Sequence, residues 1–331
     1  MNNNLDILIC PACHSDLKVA GGEIRCAIGH HCYQIYDEVP LLFWPSELDC
    51  SKKDVTDEVK AFYEETPFPN YDGIETIGDL IREAQKGIFA RLLNEQIPAN
   101  TKVLEVGCGT GQLSIFLSTR ERNVFGADLC RNSLALAHGF KKKNHLKNVE
   151  FYQMNLFKPI FKEESFDVLI CNGVLHHTSD PFLGFRTISK LVKKNGFILV
   201  GLYNKFGRMA TDIRRSIFKM LNDRFKFLDP RLRRKDISDL KKFTWFLDQY
   251  KNPHESKHTI GEVLKWFEQT GFEFVNSVPK LNVLERFSEN EMLFKSNPKG
   301  NWLEHLQVQL NLLFTGSANG GFFVMIGRRA A

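Results

Sequence analysis

No apolar run in this 331-residue chain approaches the ~20 residues that a membrane span requires, so no spanning helix and no membrane partner are expected. The first six residues, Asn-rich and polar, hold no basic stretch followed by an apolar one. That excludes a secretion signal from the reading and makes the cytoplasm the expected compartment. Internal repeats and low-complexity tracts are missing, which argues against a solenoid or a disordered chain. Neither sign of charge dominates, since the formal net charge is only +5. What is present is globular in balance, with 43% apolar and 25% charged residues. At about 150 residues per domain, the length suits two domains, or one large domain with an appendage.

The net charge conceals an uneven distribution. Between positions 205 and 242 stand 13 Lys or Arg against 5 Asp, so this stretch carries +8 and the remainder of the chain −3. One basic segment on a nearly neutral body points to a local contact with an anionic partner.

Along the chain, residues 1–45 read as a small unit rich in Cys and His, closed by an apolar run and Pro45. Residues 46–100 follow as a polar linker and two helix-like patterns around the proline-broken aromatic stretch Thr66-Pro67-Phe68-Pro69-Asn70-Tyr71. From 101 to 204, strand-like runs at 103–106, 123–127, 149–153, 166–171 and 196–202 alternate with helical patterns at 112–118, 132–143 and 182–192. This rhythm predicts an α/β fold, a doubly wound parallel sheet with helices on both faces. The basic segment, extended to 205–258, reads as a helical insertion. Residues 259–331 then resume the domain with a helix opening at Thr259, a strand at 272–278, a helix near 301–314 and a strand at 321–326.

The strongest local signal is Val103-Leu104-Glu105-Val106-Gly107-Cys108-Gly109-Thr110-Gly111, a strand entering a glycine turn ahead of a helix. Its spacing departs from the dinucleotide pattern, and Asp128 ends the next strand, where a carboxylate can accept from both ribose hydroxyls. These residues resemble motif I and the acidic position of class I S-adenosylmethionine-dependent methyltransferases. The stretch from Phe166 through Asn172-Gly173-Val174-Leu175-His176-His177-Thr178 resembles the fourth-strand motif of the family's type 11 branch, which often acts on small molecules. The resemblance implies a Rossmann-like, seven-stranded, mostly parallel sheet. It also implies that Gly107, Gly109 and Gly111 face the methionine part of the cofactor, with Glu105 near its ammonium. Asn155, where the family usually has Asp, would accept from the adenine amino group, and Asn172 would border the methyl. Asn195 stands where a glycine is usual, before the fifth strand.

Methyl transfer is an in-line displacement, so alignment and desolvation supply most of the acceleration, and a base is needed only where the acceptor must lose a proton. His176 and His177 are the candidates for that base, with Tyr203 at the end of the fifth strand also within reach. Tyr71 is the candidate contact from the loop expected to cover the cofactor. The stretch His254-Glu255-Ser256-Lys257-His258 matches the H-E-x-x-H zinc-protease pattern. The preceding Pro253 and the capping sequence Thr259-Ile260-Gly261-Glu262 argue instead for a loop. Its His254, Glu255 and His258 are then candidates for acceptor binding.

Cys10-x2-Cys13 and Cys26-x3-His30 form two short pairs with the spacing of a tetrahedral structural zinc site. A 45-residue unit has little apolar surface to bury, so a metal staple has a clear purpose. The segment resembles the zinc ribbon of ribosomal RNA guanine-N1 methyltransferases, with His14, His31 and Cys32 as alternative ligands. Three functions compete: methylation of a small, anionic molecule; methylation of rRNA or tRNA, using the ribbon and Arg231-Leu232-Arg233-Arg234-Lys235; and a non-catalytic cofactor-binding module.

Overall fold

Five short strands open the chain in the computed structural model, which describes residues 2–46, 54–282, 284–315 and 320–331. β1 (Leu17–Ala20), β2 (Glu23–Cys26) and β3 (Cys32–Tyr33) form an antiparallel ribbon, and β4 (Ile35–Tyr36) pairs with β5 (Val39–Pro40). The β1–β2 turn falls on Gly21 and Gly22, both at positive φ, as a two-residue hairpin requires. Residues 47–53, within the expected linker, lie outside the described residues. Three helices follow: α1 (Thr56–Glu65), α2 (Ile77–Gln85) and α3 (Ile88–Gln96). Thr76 and Asp79 form a capping box that starts α2.

Next come β6 (Lys102–Val106), α4 (Gln112–Ser118), β7 (Asn123–Asp128), α5 (Arg131–Lys143), β8 (Val149–Gln153), β9 (Phe166–Asn172), α6 (Pro181–Ser189) and β10 (Val192–Tyr203). The chain continues through α7 (Met209–Met220), α8 (Asp239–Lys251), α9 (Ile260–Thr270), β11 (Phe272–Val278), α10 (Trp302–Thr315) and β12 (Phe322–Arg329). Seven strands make one sheet in the order β11-β12-β10-β9-β6-β7-β8. All pairings are parallel except those of β12, which runs against β10 and β11. The fold is therefore α/β and Rossmann-like, with an apolar core on each face of the sheet.

The helix expected over 182–192 stops at Ser189 because Val192 already pairs with Phe166 as the start of β10. The register then slips before Phe197, and Asn195 takes φ +62°, a left-handed conformation that Asn tolerates at little cost. The N-terminal ribbon shares its core with the sheet: Leu8, Ile24, Tyr33 and Leu42 pack in one cluster with Phe125, Tyr152 and Phe161. A bridge from Leu41 to Gln153 pairs with the outer edge of β8 at its last residue, and a second joins Leu8 to Phe161 beyond that strand. The insertion has a small core of its own, Phe218, Phe246 and Tyr250.

Candidate active site

A cavity of about 700 Å3 opens at the carboxyl ends of β6, β7, β9 and β10, between the glycine turn and the insertion. Gly107 turns the chain at φ +72°, and a Cβ there would lie 2.2 Å from Val174, so the turn admits no side chain. The loop is locked to the next strand: the Gly109 N–H donates to Asp128 at 2.7 Å, and the Cys130 N–H donates to the other carboxylate oxygen at 2.8 Å. Glu105 is almost fully buried, accepts from the Ser114 hydroxyl, and has its carboxyl pushed up to about 7 by burial. Asp128 shifts upward for the same reason. Neither acid pairs with a Lys or Arg among the described residues. Two uncompensated carboxylates beside a helix N-terminus suit a ligand that carries an amine cation and a ribose diol. The donor set thus fits S-adenosylmethionine.

Glu105, Gly107, Gly109, Asp128, Asn155, Asn172, His177 and Tyr203 all line this cavity, whereas Gly111, Tyr71 and His176 stand behind its wall. Tyr71 donates to the Thr110 carbonyl at 2.7 Å and stacks on Phe140 at 4.6 Å, bracing the glycine turn from outside. Asn155 already spends its amide on its neighbours, donating to the Trp44 carbonyl at 3.0 Å and accepting from the Phe157 N–H at 3.1 Å. His176 is fully buried, with rings of His177 and Tyr203 at 4.2 and 4.1 Å and no hydrogen-bond partner for either of its ring nitrogens. Burial keeps its ring neutral. His177 differs. Its Nδ1 lies 2.7 Å from the His254 carbonyl, which fixes Nδ1 as the protonated nitrogen and leaves the lone pair on Nε2. Burial lowers its pKa as well, so the ring stays neutral and able to accept a proton.

The other end of the cavity holds residues that sequence reasoning passed over. Tyr63 of α1 donates to Asp248 of α8 at 2.8 Å, and Gln249 donates to the Tyr203 hydroxyl at 2.6 Å and to Asp248 at 2.8 Å. Trp245 and Arg231 complete this wall, with the guanidinium 4.0 Å from the indole centre. The spacing of Trp245, Asp248, Gln249 and Asn252 marks one helical face, and that was the available signal.

None of His254, Glu255 and His258 lines the cavity. Glu255 lies buried against Arg208 and Arg215; burial alone would raise its carboxyl, but the two guanidinium groups outweigh that and hold it at about 2. Arg208 also lies 3.7 Å from the Tyr203 ring centre, so this ion pair ties the insertion to the end of β10. His258 shares a hydrogen bond with Ser256. Cys108, Cys130 and Cys171 are buried, with thiols shifted upward by burial, and serve as packing.

In the ribbon, the ligand atoms of Cys10, Cys13, Cys26 and His31 lie within 4.8 Å of one another. Donors around a tetrahedral zinc stand roughly 3.4–3.8 Å apart. Here Cys10 Sγ lies 3.5 Å from His31 Nδ1, and Cys13 Sγ lies 3.2 Å from Cys26 Sγ. His30 occupies the turn at φ +57° and stays outside the group, as do His14 and Cys32. A Cβ on Gly29 would approach the His31 ring to 2.8 Å, so the glycine makes room for that imidazole.

A family model of the methyltransferase domain matches residues 97–271, more than half of the chain. Over 106 residues the chain is 29% identical to an uncharacterized methyltransferase, YcgJ, of Bacillus subtilis, covering 32% of this chain and 42% of that protein. It is 33% identical over 113 residues to a release factor glutamine methyltransferase of Aliivibrio fischeri (32% and 40% covered). With a ubiquinone biosynthesis O-methyltransferase of Acinetobacter baumannii it shares 27% over 141 residues (40% and 59%). The chain therefore spans about two fifths to three fifths of the length of these relatives. The structure of PKMT2 from Rickettsia typhi in complex with AdoHcy superposes at a TM-score of 0.50, with 16% identity over 72% of this chain and 52% of that one. With the glycine turn, its paired acids and the sheet order already in place, the matched span places this chain in the family of class I S-adenosylmethionine-dependent methyltransferases.

Proposed function

We propose that the protein methylates a small molecule bearing an anionic group, held between the strand ends and the insertion. One observation carries this reading: a single cavity contains both the cofactor-side acids and a second wall in which Tyr63, Trp245, Asp248 and Gln249, from helices outside the sheet motifs, surround Tyr203 at the end of β10. A concave chamber of about 700 Å3 with a mostly apolar lining suits a small acceptor better than a polymer. When bound, the cofactor supplies a methyl group on a sulfonium. Glu105 faces the ammonium, Asp128 accepts from the ribose hydroxyls, and Gly107 and Gly109 leave room for the methionine part. Asn172 borders the methyl, and Asn155 closes the adenine side through its turn. His177 takes the acceptor's proton at Nε2, while Tyr203 positions the acceptor. Arg231 and Lys60, both on the cavity wall, offer the positive charge for the acceptor's anionic group.

Asp128→Ala removes two charge-assisted hydrogen bonds to the ribose, each worth on the order of 1.5–3 kcal/mol. Calorimetry with S-adenosylhomocysteine should show at least a tenfold loss of affinity. Unchanged affinity would remove the ribose role from this residue.

The ribbon, in the same proposal, carries one structural zinc on Cys10, Cys13, Cys26 and His31. The support is the clustering of four soft or borderline donors around one point in a segment with a small core. Elemental analysis should find one zinc per chain, retained in His30→Ala and lost in His31→Ala. Loss in the first variant and retention in the second would return the ligand role to His30.

A further inference from the structure

The turn that links the two long helices of the insertion interleaves exposed apolar side chains with cations. Between positions 219 and 228 every residue except Asp223 is exposed. Met220 is 73% exposed and Phe227 57%, and Leu221, Phe225 and Leu228 are exposed as well. Lys219, Arg224 and Lys226 stand among them, and none of the three forms an ion pair among the described residues. On the preceding helix Met209, Ile213 and Met220 share one exposed face, at spacings of four and seven residues. Arg233 and Lys235, also exposed and without an ion pair among the described residues, extend the basic character beyond the turn.

We infer that this turn docks the protein onto an anionic lipid surface, its apolar side chains entering the headgroup region and its cations meeting the lipid phosphates. Exposed Met, Leu and Phe are unfavourable in water and are stabilised on entering an interface, and interleaved Lys and Arg are what a negatively charged bilayer attracts. The expectation that membranes play no part rested on the absence of a spanning run, and an interfacial contact needs no span. Two other occupants fit less well. A single-stranded nucleic acid could stack on Phe225 and Phe227, but it leaves Met209, Ile213, Met220, Leu221 and Leu228 without a use. A second copy of the chain, docked through the same patch about a two-fold axis, would set these cations against their own counterparts. The inference stands on the surface alone and is independent of the acceptor proposed above.

Flotation of the full-length protein with vesicles tests it. One set is pure phosphatidylcholine; the other contains one-third phosphatidylglycerol. The protein should float with the anionic vesicles and far less with the neutral ones, and raising the salt should weaken the association. Lys219→Ser, Arg224→Ser and Lys226→Ser combined should reduce partitioning at least about tenfold, since each cation near such a surface contributes a factor of about five. Phe225→Ser with Phe227→Ser should reduce it as well, and all variants should keep their affinity for S-adenosylhomocysteine, which shows that they are folded. Absence of binding to either vesicle, or binding that neither set of substitutions weakens, overturns the inference. So does an RNA affinity that falls with the same substitutions while vesicle binding is absent, or a dimer that these substitutions dissociate.

Discussion

At the scale of single residues, Glu105 gives the cofactor end of the cavity a pH dependence. Burial pushes its carboxyl up to about 7, and no Lys or Arg among the described residues pairs with it. A bound ammonium favours the ionised form, so binding below that pKa must first expel a proton. The sign follows: affinity is full above about pH 8 and falls as the pH drops, by about tenfold on reaching about pH 6. Calorimetry with S-adenosylhomocysteine across that range should show this slope, and Glu105→Gln should flatten it. An unaltered slope in the variant would assign the proton to another group. Residues also mark where the sequence could be read and where it could not. The glycine turn and Asp128 are legible because backbone geometry and one carboxylate determine their roles locally. The choice between His30 and His31 is not, because it depends on the direction in which a left-handed turn aims two adjacent side chains.

Elements are held in place by buried polar groups as much as by apolar ones. Arg122, only 1% exposed and without a carboxylate partner, donates to the carbonyls of Asn94, Ile97 and Leu117 at the ends of α3 and α4. It thereby satisfies helix-terminal acceptors that water cannot reach. Burial and the neighbouring Arg120 bring its pKa down to about 10, still well above neutrality, so it remains charged there. Arg122→Met keeps the volume but leaves several buried carbonyls unpaired, and should cost on the order of 3–5 kcal/mol. Urea denaturation measures this directly; a loss below about 1 kcal/mol would mean that water replaces the guanidinium. At this scale the sequence was informative. The runs at 149–153 and 272–278 and the helix at 112–118 have the predicted bounds, because period and capping residues are local. The helix after β9 ended early because strand pairing, a tertiary demand, claimed Val192.

Across the whole molecule, the sheet places its ligand at the strand ends, and what covers those ends comes from far along the chain. Tyr63 meets Asp248 across 185 residues, and Asn70 meets Thr244 across 174. No periodicity reveals such pairs, so the wall built by α1 and α8 stayed hidden, while the wall built by the glycine turn and Asp128 was readable as a local motif. The basic segment illustrates the same limit. Its composition signals an anionic partner, yet the fold spends Arg208 and Arg215 on Glu255 and Arg234 on Asp236, turns Arg231 to the cavity, lays the Lys226 ammonium over the Phe246 ring at 4.3 Å, and leaves Lys219 and Arg224 exposed. On the proposed function, this chamber transfers a methyl group to a small molecule. Purified protein supplied with methyl-tritiated S-adenosylmethionine and a cell extract, later separated into small-molecule, RNA and protein fractions, tests it most directly. Label is expected in the small-molecule fraction, lost with His177→Gln while cofactor affinity is kept. Label accumulating in RNA or protein instead, or in no fraction, would contradict it.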